Sequence, residues 1–449
     1  MWTSSTSSSS AWDASASLSS LLIFLASCAA LALLLSYFGA KASPQSLRDP
    51  IPGLFNTLQF MFNNEKFMAR VQNAVKGGQN IIRFYLGPKT VYLVAGPQNI
   101  RAVFGRELVH EVTNQEQMTR YALPTLYKMT PDEVRRWETD HSVLGLPGWL
   151  NPKPSKTHDR YVAAIERWLE IVSRDFNWES TDAEADWEPR FGGRAVRELY
   201  IWMKETKWRT KVIAATLGAL CFALTSNSIP TTIWMLMEII QDPTLLEAVR
   251  EEIRAVATND PKTGKITLDS QNLVALPLLQ SIWTETLRLR INFNIVRDVK
   301  HPITLGGNTI AKGALLQVPM MVAYYDEVTW GATGHPASEF WAERHIKYTE
   351  DLDEAGKTHR KPKYAMAGHP TSHFPFGGGA NICPGRQLAK FEVFTTIALI
   401  LLRFDIELVE WTNPDGSASK RAAKGDKRYC GAGAMPPDRD MKIRLRHMY

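Results

Sequence analysis

Cysteine is scarce in this chain. There are four in 449 residues: Cys28, Cys221, Cys383 and Cys430. They lie far apart and form no Cys-x-x-Cys pair, so neither a zinc site nor a disulfide framework is indicated. A reducing, cytosolic setting suits the main body. Arginine-rich blocks and aromatic–basic repeats are also lacking, and the net charge is only +6. Nucleic acid is therefore not an expected partner. The mild basic balance suits an anionic membrane surface or an acidic redox partner equally well. Lysine and arginine are missing from residues 1–17, which hold Asp13. A cleaved secretory leader would need a basic start there. No internal repeat is visible.

From Leu18 to Phe38 charge disappears altogether, and the run is almost entirely Leu, Ala, Ile, Phe and Ser. Its length at helical rise suits a bilayer core of about 30 Å. The first positive charges, Lys41 and Arg48, follow the run. By the positive-inside tendency the body then faces the cytosol. The expected organisation is a polar tail at 1–17, a transmembrane signal anchor at 18–38 and a proline-rich linker at 39–53. Pro44, Pro50 and Pro52 cannot continue a helix and stiffen that linker. The remainder, 54–449, is the expected catalytic domain.

Within that domain, Ile81–Leu86 and Thr90–Val94 read as a hairpin around Gly87-Pro88, followed by a helix over 98–104. Asp159–Phe176 and Arg194–Lys207 read as amphipathic helices. Lys211–Ile240 is the longest helical candidate here and is apolar almost all round at its centre, as a fully buried helix should be. Helices are expected at 244–257 and 275–291. Short strands are expected at 303–305, 309–310, 315–318, 404–409 and 442–445. The pattern is a large helical body with a small mixed sheet.

The most informative stretch runs from Phe376 to Arg386: Phe-Gly-Gly-Gly-Ala-Asn-Ile-Cys-Pro-Gly-Arg. Consecutive glycines let the backbone approach a large flat partner. Cys383 sits where a helix begins, so a thiolate there gains from the helix dipole and nearby N–H groups. The following run, 387–402, has the apolarity and length of a buried helix. The bland alternative is a glycine-rich loop with a buried core cysteine, the usual fate of a free cysteine. The spacing of Phe376, Gly379, Cys383 and Gly385 resembles the haem-binding loop of the cytochrome P-450 family. Glu285 and Arg288, three apart on one helix face, resemble that family's Glu-x-x-Arg helix. The segment Pro336–Arg344 resembles the one that adds a second arginine, so Arg344 is expected to fork onto Glu285. Arg297 stands where the family places an arginine on a haem propionate. Asn381, two before the cysteine, is neutral where a basic residue is usual. The ordered set covers at least residues 211–411.

The resemblance implies a cytochrome P-450 fold, mainly α with a small mixed sheet. It implies haem b (iron protoporphyrin IX) with Cys383 as axial ligand, pushing electron density to the iron. Phe376, Gly379, Asn381, Gly385 and Arg297 would line the cofactor, with Glu285, Arg288 and Arg344 as structural support. The implied reaction is hydroxylation of a hydrophobic sterol- or terpenoid-like molecule. Electrons would come from NADPH through a flavoprotein reductase, at the endoplasmic reticulum membrane with the catalytic domain facing the cytosol.

Two departures bear on the chemistry. Counting back from Pro243 places Asn227 where the family has its oxygen-side threonine, with Ala223 one turn earlier. Pro230 denies the Ser226 carbonyl its helix partner, which predicts a kink there. This Asn-x-x-Pro variant resembles the branch holding sterol 7α- and 12α-hydroxylases and prostacyclin synthase. An amide can donate but cannot relay a proton as a hydroxyl does, so an isomerase or dehydratase needing no reductase is the alternative. The second departure is a missing Trp-x-x-x-Arg helix: Trp137 is followed four on by His141. Several helices are expected to be lost around residues 142–146, which would leave a haem-poor form.

Overall fold

The computed structural model describes residues 46–448, apart from 52, 79, 109, 114–126, 139–151, 176–186, 261–264, 353–357, 369, 427, 428, 430 and 431. The expected anchor at 18–38, most of the linker, and the proposed loss around 142–146 lie outside them, as do the side chains of Trp137 and His141.

The first elements are two short helices, α1 (Phe55–Phe62) and α2 (Asn64–Lys76). The hairpin of β1 (Ile81–Leu86) and β2 (Lys89–Val94) follows, antiparallel with Ile81 opposite Val94. Helix α3 (Pro97–Phe104) begins on a proline, whose missing N–H costs nothing at a first helical position. Then come α4 (Pro152–Asp175) and α5 (Arg194–Glu205). Helix α4 starts at Pro152 and runs through Pro154, because a first turn tolerates proline.

The long helical run expected at 211–240 is two helices, α6 (Thr210–Thr225) and α7 (Ser228–Ile240), separated at Ser226–Asn227. Pro230 explains the position of the break: it offers no N–H to the Ser226 carbonyl. The expectation of a fully buried centre is corrected. Phe222, Leu224 and Ile229 are exposed beside the break, while Trp234, Met235 and Ile239 further on are buried. Apolarity around the whole circumference was therefore not a sign of burial here. The run is long and apolar enough to cross a membrane, yet its far half packs in the protein core.

Asp242 ends α7 and starts α8 (Pro243–Arg254), its carboxylate accepting from the N–H groups of Thr244 and Leu245 at 2.9 and 3.1 Å. A cap of this kind is worth about 1 kcal/mol. Helix α9 (Pro277–Arg290) is nearly all buried. It runs straight into β3 (Ile291–Val299), a strand not foreseen from the sequence. Strand β4 (Leu315–Pro319) lies between β2 and β3, parallel to the first and antiparallel to the second, with Leu316 opposite both Tyr92 and Arg297. Helix α10 (Arg386–Arg403) buries Val393, Phe394, Ile397 and Leu401 against the main core, but Leu388 and Phe391 in its first two turns are exposed. Strand β5 (Phe404–Thr412), β6 (Ala432–Ala434) and β7 (Asp440–His447) finish the chain. Strand β6 joins the main sheet beside β3, with Ala434 opposite Ile291, and a short strand at Val112–Thr113 also pairs with β3. β5 and β7 form a separate antiparallel sheet with a short strand at 418–419. A second unforeseen hairpin pairs Ile346–Leu352 with Thr358–Tyr364.

Candidate active site

The best-formed polar cluster lies on α9. Glu285 is fully buried, and both its oxygens are engaged by Arg288, Nε to Oε2 and Nη2 to Oε1 at 2.8 Å each. Arg344 adds one bond, Nε to Oε1 at 2.8 Å. The bidentate fork is thus made by Arg288, and the expected fork from Arg344 is a single bond. Arg344 spends its other donors on backbone carbonyls: Trp330 at 2.5 Å, Glu339 at 2.9 Å and Pro336 at 3.0 Å. Arg288 likewise reaches the carbonyls of Tyr324 and Ala337 at 2.6 Å. Burial opposes ionisation of Glu285, but the hydrogen bonds from Arg288 and His345 and the charges of Arg288 and Arg344 outweigh it. The carboxyl is held at about 2. The carboxylate and both guanidinium groups are answered within the protein, and His345 Nε2 lies 3.4 Å from Glu285 Oε2, so the cluster fixes the chain path rather than presenting charge to a ligand.

The neighbouring loop is built differently. Gly377 and Gly379 have positive φ, +76° and +68°. Gly378 is extended, and its bareness serves packing: a Cβ there would lie 2.6 Å from the ring of Phe104. A Cβ on Gly379 would meet the Phe104 carbonyl at 2.9 Å. The glycines thus admit the end of α3, a partner that the spacing of the loop did not reveal. The Cys383 N–H donates to the Phe376 carbonyl at 2.9 Å, closing the loop. Phe376 leans on Trp283 of α9, ring centroids 6.4 Å apart. Gly385 precedes α10, so Cys383 stands at that helix's N-terminus with its thiol exposed and free. Asn381 is exposed as well.

Arg297 on β3 is 9% exposed. Its guanidinium donates to its own neighbour, the Val296 carbonyl, at 2.9 Å, and lies 5.9 Å from the Phe104 ring. No carboxylate faces it among the described residues, and burial lowers its pKa. Phe104 therefore links Arg297 to the Gly378–Gly379 backbone. A buried cation without an anion is costly, which makes it a ready partner for an acidic group from outside the chain.

Asn227 lies in the break between α6 and α7. Its Oδ1 accepts from the Ala434 N–H of β6 at 3.0 Å. Ala223 is exposed one turn earlier. Sequence reasoning missed Phe104, Tyr324, His345 and Ala434. Only their tertiary placement gives them a role, and none carries a local motif.

A family model for cytochrome P450 matches residues 194–427. A cytochrome P450 monooxygenase of Penicillium decumbens, calL, is 34% identical and aligns over 88% of this chain and 92% of its own. The chain belongs to the cytochrome P450 family. In enzyme class it is a cytochrome P450 monooxygenase, an oxidoreductase that incorporates oxygen. A second P450 monooxygenase, fsoE of Humicola fuscoatra, is 31% identical over 72% of this chain and 58% of its own. The cholesterol 7-alpha-monooxygenase of Cricetulus griseus is 30% identical over 52% of this chain and 45% of its own. The first alignment runs over 500 positions, more than the 449 residues present here, so parts of that P450 have no counterpart in this chain.

Haem is the cofactor this family implies, and the residues present fit it. The Cys383 thiol is free at a helix N-terminus. Apolar Ile382, Leu388 and Phe391 are exposed near it in sequence, and Arg297 is a buried cation with no carboxylate partner among the described residues. A flat apolar group bearing carboxylates answers all three.

Proposed function

We propose that this P450 hydroxylates a hydrophobic, sterol- or terpenoid-like small molecule with O2 and electrons from NADPH through a flavoprotein reductase. We further infer that residues 18–38 anchor it in the endoplasmic reticulum membrane with the catalytic domain facing the cytosol. The observation that carries the reading is the free Cys383 thiol at the start of α10, together with Arg297, for which no carboxylate partner lies among the described residues; Phe104 lies against the loop glycines and 5.9 Å from that arginine. Support for the substrate class comes from the cholesterol 7-alpha-monooxygenase relative.

Bound haem supplies the activation of dioxygen. Cys383 would hold its iron through sulfur, with the α10 dipole favouring the thiolate. Arg297 would hold a propionate, and Asn381 would add a hydrogen bond where the family more often has a charge. Gly379 and Gly385 keep the loop backbone clear of side chains. Phe222, Leu224 and Ile229 offer apolar surface beside the helix break and favour a hydrophobic substrate over water. Asn227 would donate a hydrogen bond there, and Ala223 would leave room above it.

The test is a reduced carbon-monoxide difference spectrum of the purified chain, followed by product analysis on a sterol and terpenoid panel with NADPH and a reductase. A thiolate-type Soret band with NADPH-dependent hydroxylation is expected. Turnover of a peroxide substrate without NADPH would instead support an isomerase or dehydratase, the reading Asn227 favours. A second reading is a shortened, haem-poor form. Its support is the excess of aligned positions in the first relative together with the exposed apolar residues of α6, α7 and α10. Purification without bound haem would favour it.

A further inference from the structure

Strand β6 is gripped from the helix break at two points. The Ala434 N–H donates to Asn227 Oδ1 at 3.0 Å, and the Trp234 Nε1–H donates to the Met435 carbonyl at 2.7 Å. Asn227 and Trp234 are seven residues apart, two helical turns, so both grips lie on one face. The Met435 N–H in turn donates to the Arg290 carbonyl at 2.9 Å, and Arg290 stacks on Trp234 at 3.7 Å. The Ala434 bond also settles the orientation of the carboxamide. A backbone N–H can donate only to the oxygen of an amide, so Oδ1 must face the strand. The Nδ2 group then points elsewhere, and it makes no hydrogen bond among the described residues. Close approach requires Gly433. Its φ is +131°, and a Cβ there would lie 2.5 Å from Asn227 Oδ1 and 3.0 Å from the ring of Phe293.

We propose that Gly433 and the Ala434 N–H are positioning groups for Asn227. They turn its Oδ1 toward the strand and leave its NH2 as the group directed away from it. Asn227 then favours ligands that present an acceptor, such as a carbonyl, ether or peroxide oxygen, over ligands that must donate. The selectivity half rests on the haem-pocket reading above; the latch half does not.

Amide hydrogen exchange at Ala434 tests the latch. Asn227→Ala should speed exchange about fivefold, the usual range for one lost hydrogen bond. Asn227→Asp keeps an oxygen in place and should retain protection. Gly433→Ala should behave like Asn227→Ala; if it fails to fold, the two Asn227 variants still decide. Unchanged exchange in Asn227→Ala would overturn the latch. For the donor half, the probe is carbon monoxide on the reduced holoprotein, read by its infrared stretch. Asn227→Asp should lose the donor-induced shift while Ala434 stays protected. An unchanged stretch would overturn the donor role. A protein that takes up no haem would overturn the donor half along with the haem reading, with the latch still read by exchange.

Discussion

Two sets of charged groups, both buried, lie on adjoining elements of this protein and behave in opposite ways. On α9, Glu285 is closed in by Arg288 and Arg344, whose remaining donors go to backbone carbonyls. On β3, Arg297 is almost as deeply buried and, among the described residues, has the Val296 carbonyl and the face of the Phe104 ring and no carboxylate. The first set is complete without a ligand. The second is left open, as is the exposed thiol of Cys383. Burial alone therefore does not separate structural charges from binding ones; what separates them is whether the protein itself supplies the counter-charge.

The largest expected effect comes from opening the closed set. Glu285→Ala would leave two guanidinium groups in the core and should cost about 3–5 kcal/mol. Denaturant unfolding would check it, and a small effect would mean that the cluster is not the closed unit described. Cys383→Ser should do the reverse. Stability should change by less than about 0.5 kcal/mol, since the thiol is exposed, while thiolate-type haem absorbance should vanish. Arg297→Leu sharpens the contrast further. Removing an unpaired buried cation should leave the haem-free protein unchanged or more stable by about 1 kcal/mol, yet speed haem loss from the loaded protein, followed by transfer to an acceptor globin. If Arg297→Leu destabilised the apoprotein as Glu285→Ala does, the two regions would not differ in kind.

The smallest effect is seen in the pH dependence. Glu285 has its carboxyl lowered from 4.5 to about 2, so its stabilisation is fully present above about 4.5 and is lost as pH falls towards 2. His373 is buried between Tyr324 and the Thr284 carbonyl, and burial together with His345 lowers it from 6.5 to about 3. The unfolded state binds the proton first, so its contribution is present above 6.5 and fades as pH falls towards 3. Stability should decline in two stages on acidification. His373→Phe should flatten the decline between pH 6.5 and 4.5 and lessen it from 4.5 to about 3, leaving the last part of the fall towards 2 to Glu285.

Much of the helical body was legible in sequence because apolar periodicity and caps are local. Asp242-Pro243 marks the start of α8, and the run after Gly385 is α10 within a residue at each end. Strand β3 was not legible. Ile291–Ile295 alternates apolar and polar residues, but Val296–Val299 breaks the pattern, and burial does not follow the alternation. Strand β6 has only alanine and glycine, and no propensity marks it. In the loop at 376–386 the spacing pointed to Cys383, but not to Phe104, which lies hundreds of residues away in sequence and fills the space that Gly378 leaves.

The sequence by itself determined the family resemblance, the position of the thiol and the break at Pro230, since each depends on residue type at short range. Tertiary structure alone decided which charges are answered. Counter-charges, carbonyls and ring faces arrive from distant segments, and a charge is stabilised by what surrounds it rather than by what flanks it in the chain. So Arg288 and Arg297, nine residues apart, have opposite fates: one locked into the core by a carboxylate, the other without one among the described residues.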